Sequence, residues 1–115
     1  MSLDREWMRG AAPLAVLTLL DRGEMYGYQL VEALEKDSGG LLTLGQSTVY
    51  PMLYTLEGRG HVKAVHRSSP AGRRRKYYRL TAEGRAWLEA QRSQWKTLVI
   101  AMGRLGVAGG GATLR

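Results

Sequence analysis

The chain has 115 residues, 44% hydrophobic and 23% charged, enough for one soluble domain and too few for two good cores. It has no Cys, which excludes a disulfide framework, a thiolate nucleophile and a thiolate metal ligand. The net charge is +7, and it is concentrated: Arg59, Lys63, Arg67, Arg73, Arg74, Arg75, Lys76 and Arg79 carry eight cations with no acid among them, while the rest of the chain nets minus one.

Such a patch on a small domain suggests a polyanionic partner, nucleic acid or an anionic membrane, over a merely solvated face. No apolar run approaches the ~18 residues of a membrane span. Pro13–Leu20 is too short for one and lacks a signal peptide's basic start and cleavage site. The expected location is the cytoplasm, with no membrane partner.

In chain order, residues 1–10 are a polar lead-in in which Leu3 and Trp7, four apart, allow a short helix over 3–9. Leu14, Val16, Leu17 and Leu20 stand at helical spacings, so a helix is predicted from Pro13 to Arg22, with Pro13 in its first turn and Gly23 as its stop. Tyr26, Leu30 and Leu34 recur every fourth residue, with Glu32, Glu35 and Lys36 outside. They define an amphipathic helix ended by Gly39-Gly40. Residues 41–44, "LLTL", read as one brief strand.

A third helix carries Val49, Leu53 and Leu56 on one stripe, with Ser47 as its expected N-cap and Pro51 near its start. After Gly60 the period changes to two. "HVKAVHR" and "RRRKYYRL", joined by "SSPAG", form a hairpin in which Tyr78 and Leu80 face one side and Tyr77 and Arg79 the other. The cation block is then the tip and rising edge of a ribbon anchored at its base.

Thr81 fits as N-cap of a long helix over 82–105, with Gly84 an unfavourable residue early in it. At ~1.5 Å per residue it would run ~36 Å, beyond the width of the domain before it. Leu88, Gln91, Trp95, Leu98, Met102 and Leu105 form a heptad-like seam. Its Leu88 end has a rival partner in the chain's own domain, while the outer half points to a second subunit. Residues 106–115 read as a flexible tail, in which the three consecutive glycines of "VAGGGATLR" lack the strand and helix of a phosphate loop.

Helix, helix, helix, hairpin and long helix, with the charge on the hairpin, suggest a mainly α fold with a small β-hairpin: a winged helix-turn-helix over 1–81, followed by a dimerisation helix over 82–105. The third helix would enter the major groove and the wing would lie along the phosphates. Gln46, Ser47, Thr48, Tyr50 and Tyr54 are its polar outer members. Gln and Ser/Thr suit base edges, and Tyr hydroxyls suit phosphates. Arg73, Arg74, Arg75 and Lys76 supply sequence-independent attraction. Core packing is the rival reading for Tyr50 and, on even terms, for Tyr54.

"MYGYQL", "STVYPMLYTLEGRG" and "GRRRKYYRLTAEG", in this order and spacing, resemble the hallmark segments of PadR-family transcriptional regulators over about residues 9–100. The single helix after the wing resembles the family's short class. The resemblance implies a winged-helix homodimer joined by the C-terminal helix. Many members repress their own operons or neighbouring transporter or detoxification genes, and several release DNA on binding a small molecule. It also implies that Tyr50 and Arg73–Lys76 are DNA-contacting positions.

In multidrug-binding members a tryptophan on the C-terminal helix stacks on flat aromatic ligands at the dimer centre, and Trp95 sits at a similar place. Trp95, Leu98 and Val99 are thereby candidate ligand residues for an aromatic or cationic effector. The alternative for Trp95 is plain interface packing.

An enzyme is not indicated. His61 and His66 are five apart on a predicted strand and face opposite sides. No carboxylate pair or activated nucleophile is legible, and neither a cofactor nor a metal is expected. The remaining rival is a basic interaction or membrane-surface protein. A membrane surface would want its cations along one helix face, whereas here they cluster in a hairpin.

Overall fold

Met8, Ala12, Val16, Leu19 and Leu20 recur at three- and four-residue steps, and the chain from Arg5 to Leu20 folds as one α-helix, α1. The computed structural model describes residues 3–107. The two separate helices expected on either side of residue 10 are therefore one, and Pro13 lies inside it. A proline there removes the hydrogen bond to the Arg9 carbonyl. The burial of Ala12, Val16, Leu17, Leu19 and Leu20, with Met8 packed against them, outweighs that loss.

Two residues, Met25–Tyr26, follow as strand β1, and Gly27–Asp37 form α2. The Tyr26 N–H donates to the Gln29 side chain at 3.0 Å and so closes the first turn of α2. Leu30 and Leu34 face the core.

Residues 41–44, expected as a brief strand, form none. Their apolar character instead serves one plug, Leu44, which is buried in the core. The third strand of the sheet is β1, made by pairing rather than by sequence pattern.

Gln46–Gly58 form α3. Its N-cap is Gly45, two residues before the expected Ser47, and Pro51 sits near its start as anticipated. The N–H groups of Gly60 and His61 donate to the carbonyls of Glu57 and Leu56 and end the helix tightly.

Val62–Ser68 and Arg74–Leu80 are β2 and β3, paired antiparallel in continuous register from Val62↔Leu80 to Ser68↔Arg74. On the other edge of β3, Met25 pairs with Tyr78 and Tyr26 with Tyr77, giving the order β1-β3-β2. Tyr78 is buried and Leu80 packs against the same core, as the alternation required.

Ala82–Leu105 form α4, with the Thr81 hydroxyl accepting from the Gly84 N–H at 2.9 Å. The same hydroxyl donates to the Gly60 carbonyl at 2.6 Å, so one side chain joins the end of α3 to the start of α4. One core holds side chains from α1, α2, α3, β2, β3 and the first two turns of α4, ending at Leu88. Beyond it α4 continues outward, and the molecule measures 56 × 31 × 21 Å. The expected tail over 106–115 lies, from residue 108 on, outside the described residues.

Candidate nucleic-acid interface

Val49, Leu53 and Leu56 turn one stripe of α3 into the core, which fixes what the other stripes present. Gln46, Ser47, Tyr50, Pro51 and Tyr54 are exposed. Tyr54 is 78% exposed, so the core-packing reading for it fails. Tyr50 is exposed too, but it has a neighbour: its ring lies against Gly27, the first residue of α2, where any Cβ would overlap it. Thr48 departs from the expected outer face. It is half-buried on the flank of α3 that faces α1.

The ribbon is folded to its tip. The Ser69 N–H donates to the Arg73 carbonyl at 2.7 Å, and the Gly72 N–H to the Ser69 carbonyl at 2.8 Å. The Ser69 hydroxyl, in a buried residue, accepts from the Arg73 N–H at 3.2 Å.

The four cations of the block have different neighbours. Arg73 and Arg74 are exposed at the tip. Arg75 stacks over the Tyr26 ring, its guanidinium carbon 4.4 Å from the centroid, and Tyr26 meets Tyr77 edge-on at 5.4 Å. Lys76 points to the other face of the ribbon, 3.9 Å from Glu57 near the end of α3. The ribbon therefore touches α3 directly through Lys76. Tyr26 and Gly27, adjacent in sequence, are touched by Arg75 of the ribbon and Tyr50 of α3 respectively.

A further brace lies at the ribbon's side. Arg67 forms a two-pronged ion pair with Glu24, its Nη2 donating to Oε1 at 3.0 Å and its Nε to Oε2. The hydrogen bond from Arg67, with the charges of Arg67 and Arg79, holds the Glu24 carboxyl below its ordinary range against a smaller upward push from burial. Glu24 reciprocally raises the Arg67 guanidinium. Arg67 thus serves the ribbon's attachment.

Tyr26, expected on the apolar stripe of the second helix, instead ends β1 and caps α2, and Gly27 and Glu24 were not singled out from the sequence. Helical spacing accounts for Tyr26 as a core-stripe residue, and no local signal marks a glycine as the seat of a ring from another helix.

The outer residues of α4 are bare. Trp95 is 52% exposed, and Leu98, Val99, Met102 and Leu105 are exposed with it, whereas Gln91 is half-buried. Leu88, assigned from the heptad to a subunit interface, is 0% exposed within this chain's own core. That assignment is corrected: the first turns of α4 pack on their own domain, and a side chain with no free surface cannot meet a partner. Arg85 and Arg92 pair with Asp21 beyond the end of α1 and pin this stretch.

His61 precedes β2 rather than lying in it. It stacks on Trp87 with centroids 5.0 Å apart, while His66 lies out along the ribbon. Among the described residues no group of three His, Asp or Glu could hold a metal ion, and no helix is long and apolar enough to cross a membrane.

Comparison with known proteins follows the same lines. The family described as "Transcriptional regulator PadR-like family" matches residues 16–90. A PadR family transcriptional regulator from Eggerthella lenta is similar in structure, with a TM-score of 0.76 and 35% identity over 87% of this chain and 85% of that one. Bacillus subtilis PadR in complex with operator DNA is similar with a TM-score of 0.63 and 26% identity, covering 70% of this chain and 45% of that one. The Escherichia coli transcriptional regulator YqjI is 32% identical over 85 residues; the match takes in 74% of this chain and 39% of YqjI's length.

Proposed function

This chain belongs to the PadR-like family of transcriptional regulators, and from that premise we propose that it is a sequence-specific DNA-binding repressor acting as a homodimer. Gln46, Ser47, Tyr50 and Tyr54 of α3 enter the major groove, while Arg73, Arg74, Arg75 and Lys76 hold phosphates beside it. Thr48, turned toward α1, contributes at the edge of that set.

The observation that carries this reading is the shared seat at the start of α2, against which Tyr50 and Arg75 both lie. It supports recognition helix and wing acting on one duplex. The Bacillus subtilis neighbour with operator DNA supports the same mode.

Gln91, Trp95, Leu98, Met102 and Leu105 form the subunit contact, because an apolar helix face this exposed favours burial against a second copy. Domain division follows: residues 1–81 bind DNA, and 82–105 join subunits, with Leu88 on the DNA-binding side of that boundary. Trp95, Leu98 and Val99 offer an aromatic face to a flat or cationic effector that releases DNA. In a variant keeping Trp95 as its single tryptophan (Trp7→Phe, Trp87→Phe), planar aromatic compounds should quench its fluorescence. No quenching across a broad panel would leave Trp95 as interface packing.

Selection of duplexes from a random pool tests the main reading. It should return a pseudo-palindrome with half-site centres about one helical turn, ~34–36 Å, apart. Recovery of no shared sequence would refute sequence-specific binding.

A further inference from the structure

A cleft of about 400 Å³ runs between α1 and α3, on the flank of α3 opposite the ribbon. Arg9 of α1 and Arg59, which caps the C-terminal end of α3, both line it, together with Ser47 and Thr48 from the N-terminal end of α3. No Asp or Glu is in the lining. Among the described residues neither arginine forms an ion pair, a state they share with Arg73, Arg74 and Arg75 of the ribbon.

Two exposed guanidinium groups on one concave surface with no acid in its lining make a positive patch that favours an anion. The attraction between a cation and a helix C-terminus accounts for Arg59. It does not account for Arg9, which stands within α1.

The placement names the anion. A helix lying in a major groove ~12 Å wide has a phosphate backbone on each side. Glu57 and Tyr50 mark the flank of α3 turned toward the ribbon and the start of α2. Thr48, Met52 and Arg59 mark the flank turned toward α1. From Ser47 to Arg59 the cleft spans ~18 Å of helix, several phosphates long. We infer that Arg9 and Arg59 contact the DNA backbone on the side of the major groove away from the wing, so that the duplex is held from both flanks of α3. The inference rests on the DNA-binding reading above.

The test compares wild type with the Arg9→Gln, Arg59→Gln double variant on a duplex recovered by the random-pool selection and on a scrambled duplex, across a salt series. Both side chains are exposed, and circular dichroism and melting verify the variant's fold. Loss of two phosphate contacts lowers the slope of log K against log salt by about 2 and weakens binding by up to ~60-fold near ~0.1 M salt, equally for both duplexes.

A second arm places uncharged methylphosphonate linkages along one backbone edge of the half-site and then along the other. On one edge they should weaken wild type and leave the double variant unaffected. A folded double variant with the wild-type slope, or one equally sensitive to both edges, overturns the cleft contact while DNA binding stands. A wild type that shows no salt-dependent duplex binding overturns the underlying reading and this one with it.

Discussion

The ring of Tyr50 lies against the α-carbon of Gly27, so closely that no side chain fits at position 27. The atoms a Cβ would strike are the far end of an exposed side chain, which can rotate away. Gly27→Ala should therefore cost less than ~1 kcal/mol in stability, below the usual range for overpacking, yet re-aim Tyr50. DNA affinity should fall several-fold. In a Tyr50→Ala background the same substitution should have no further effect, because the two residues act as one unit. Urea melts and duplex titrations of the four proteins check this.

Gly84 presents the opposite case. In an ordinary helix interior, Gly→Ala stabilises by ~1 kcal/mol. Here an added Cβ would strike the backbone carbonyl of His61, which cannot rotate away and already accepts from the Thr81 N–H at 3.1 Å. Gly84→Ala should destabilise by ~1–3 kcal/mol, as overpacking against a fixed wall does. Equilibrium unfolding gives the sign directly.

Glu24 links pH to the seating of the ribbon. Its native carboxyl titrates below the ordinary glutamate value because Arg67 donates to it. Its contribution to stability is fully present above the ordinary glutamate pKa and is lost as pH falls through the lowered native one. Wild type should melt above Glu24→Gln near neutral pH, and the two should converge as pH drops below that window. The gap should also shrink with added salt, since the pair is partly exposed. A melting series in pH measures both effects.

Leu88 and Leu98 belong to one heptad seam but have different surroundings: one is enclosed by its own domain and the other is bare. Leu88→Ala should cost ~2–5 kcal/mol of folding stability, as core truncations do. Leu98→Glu should leave the domain fold intact and produce monomers. Sedimentation of both variants separates the two roles.

Much of the architecture was legible because it rests on period. Leu30 and Leu34, Val49 and Leu53, and the alternation ending at Tyr78 and Leu80 each declare their element within a few residues. So did the α4 limits, where Thr81 caps and the pattern stops at Leu105.

The rest depends on contacts distant in sequence. Met25–Tyr26 is a strand only because β3 has a free edge beside it, and two residues carry no period. Pro13 marked a helix start by local rule, and only the core stripe from Ala12 onward explains why α1 runs through it. A heptad placed Leu88 in the same seam as Leu98, since spacing does not say which partner a helix face meets. Arg9 and Arg59 are fifty residues apart, and folding alone puts them in one cleft.

On this reading α3 and the ribbon tip grip the same stretch of one duplex. Photo-cross-linking measures this most directly, with a benzophenone side chain placed at Ser47 in one variant and at Arg74 in another, each bound to the selected duplex. Cross-links should form from both positions to nucleotides of a single half-site: from position 47 to bases in the major groove and from position 74 to the neighbouring backbone. Cross-linking from only one position, or from the two to separate duplexes, would contradict it.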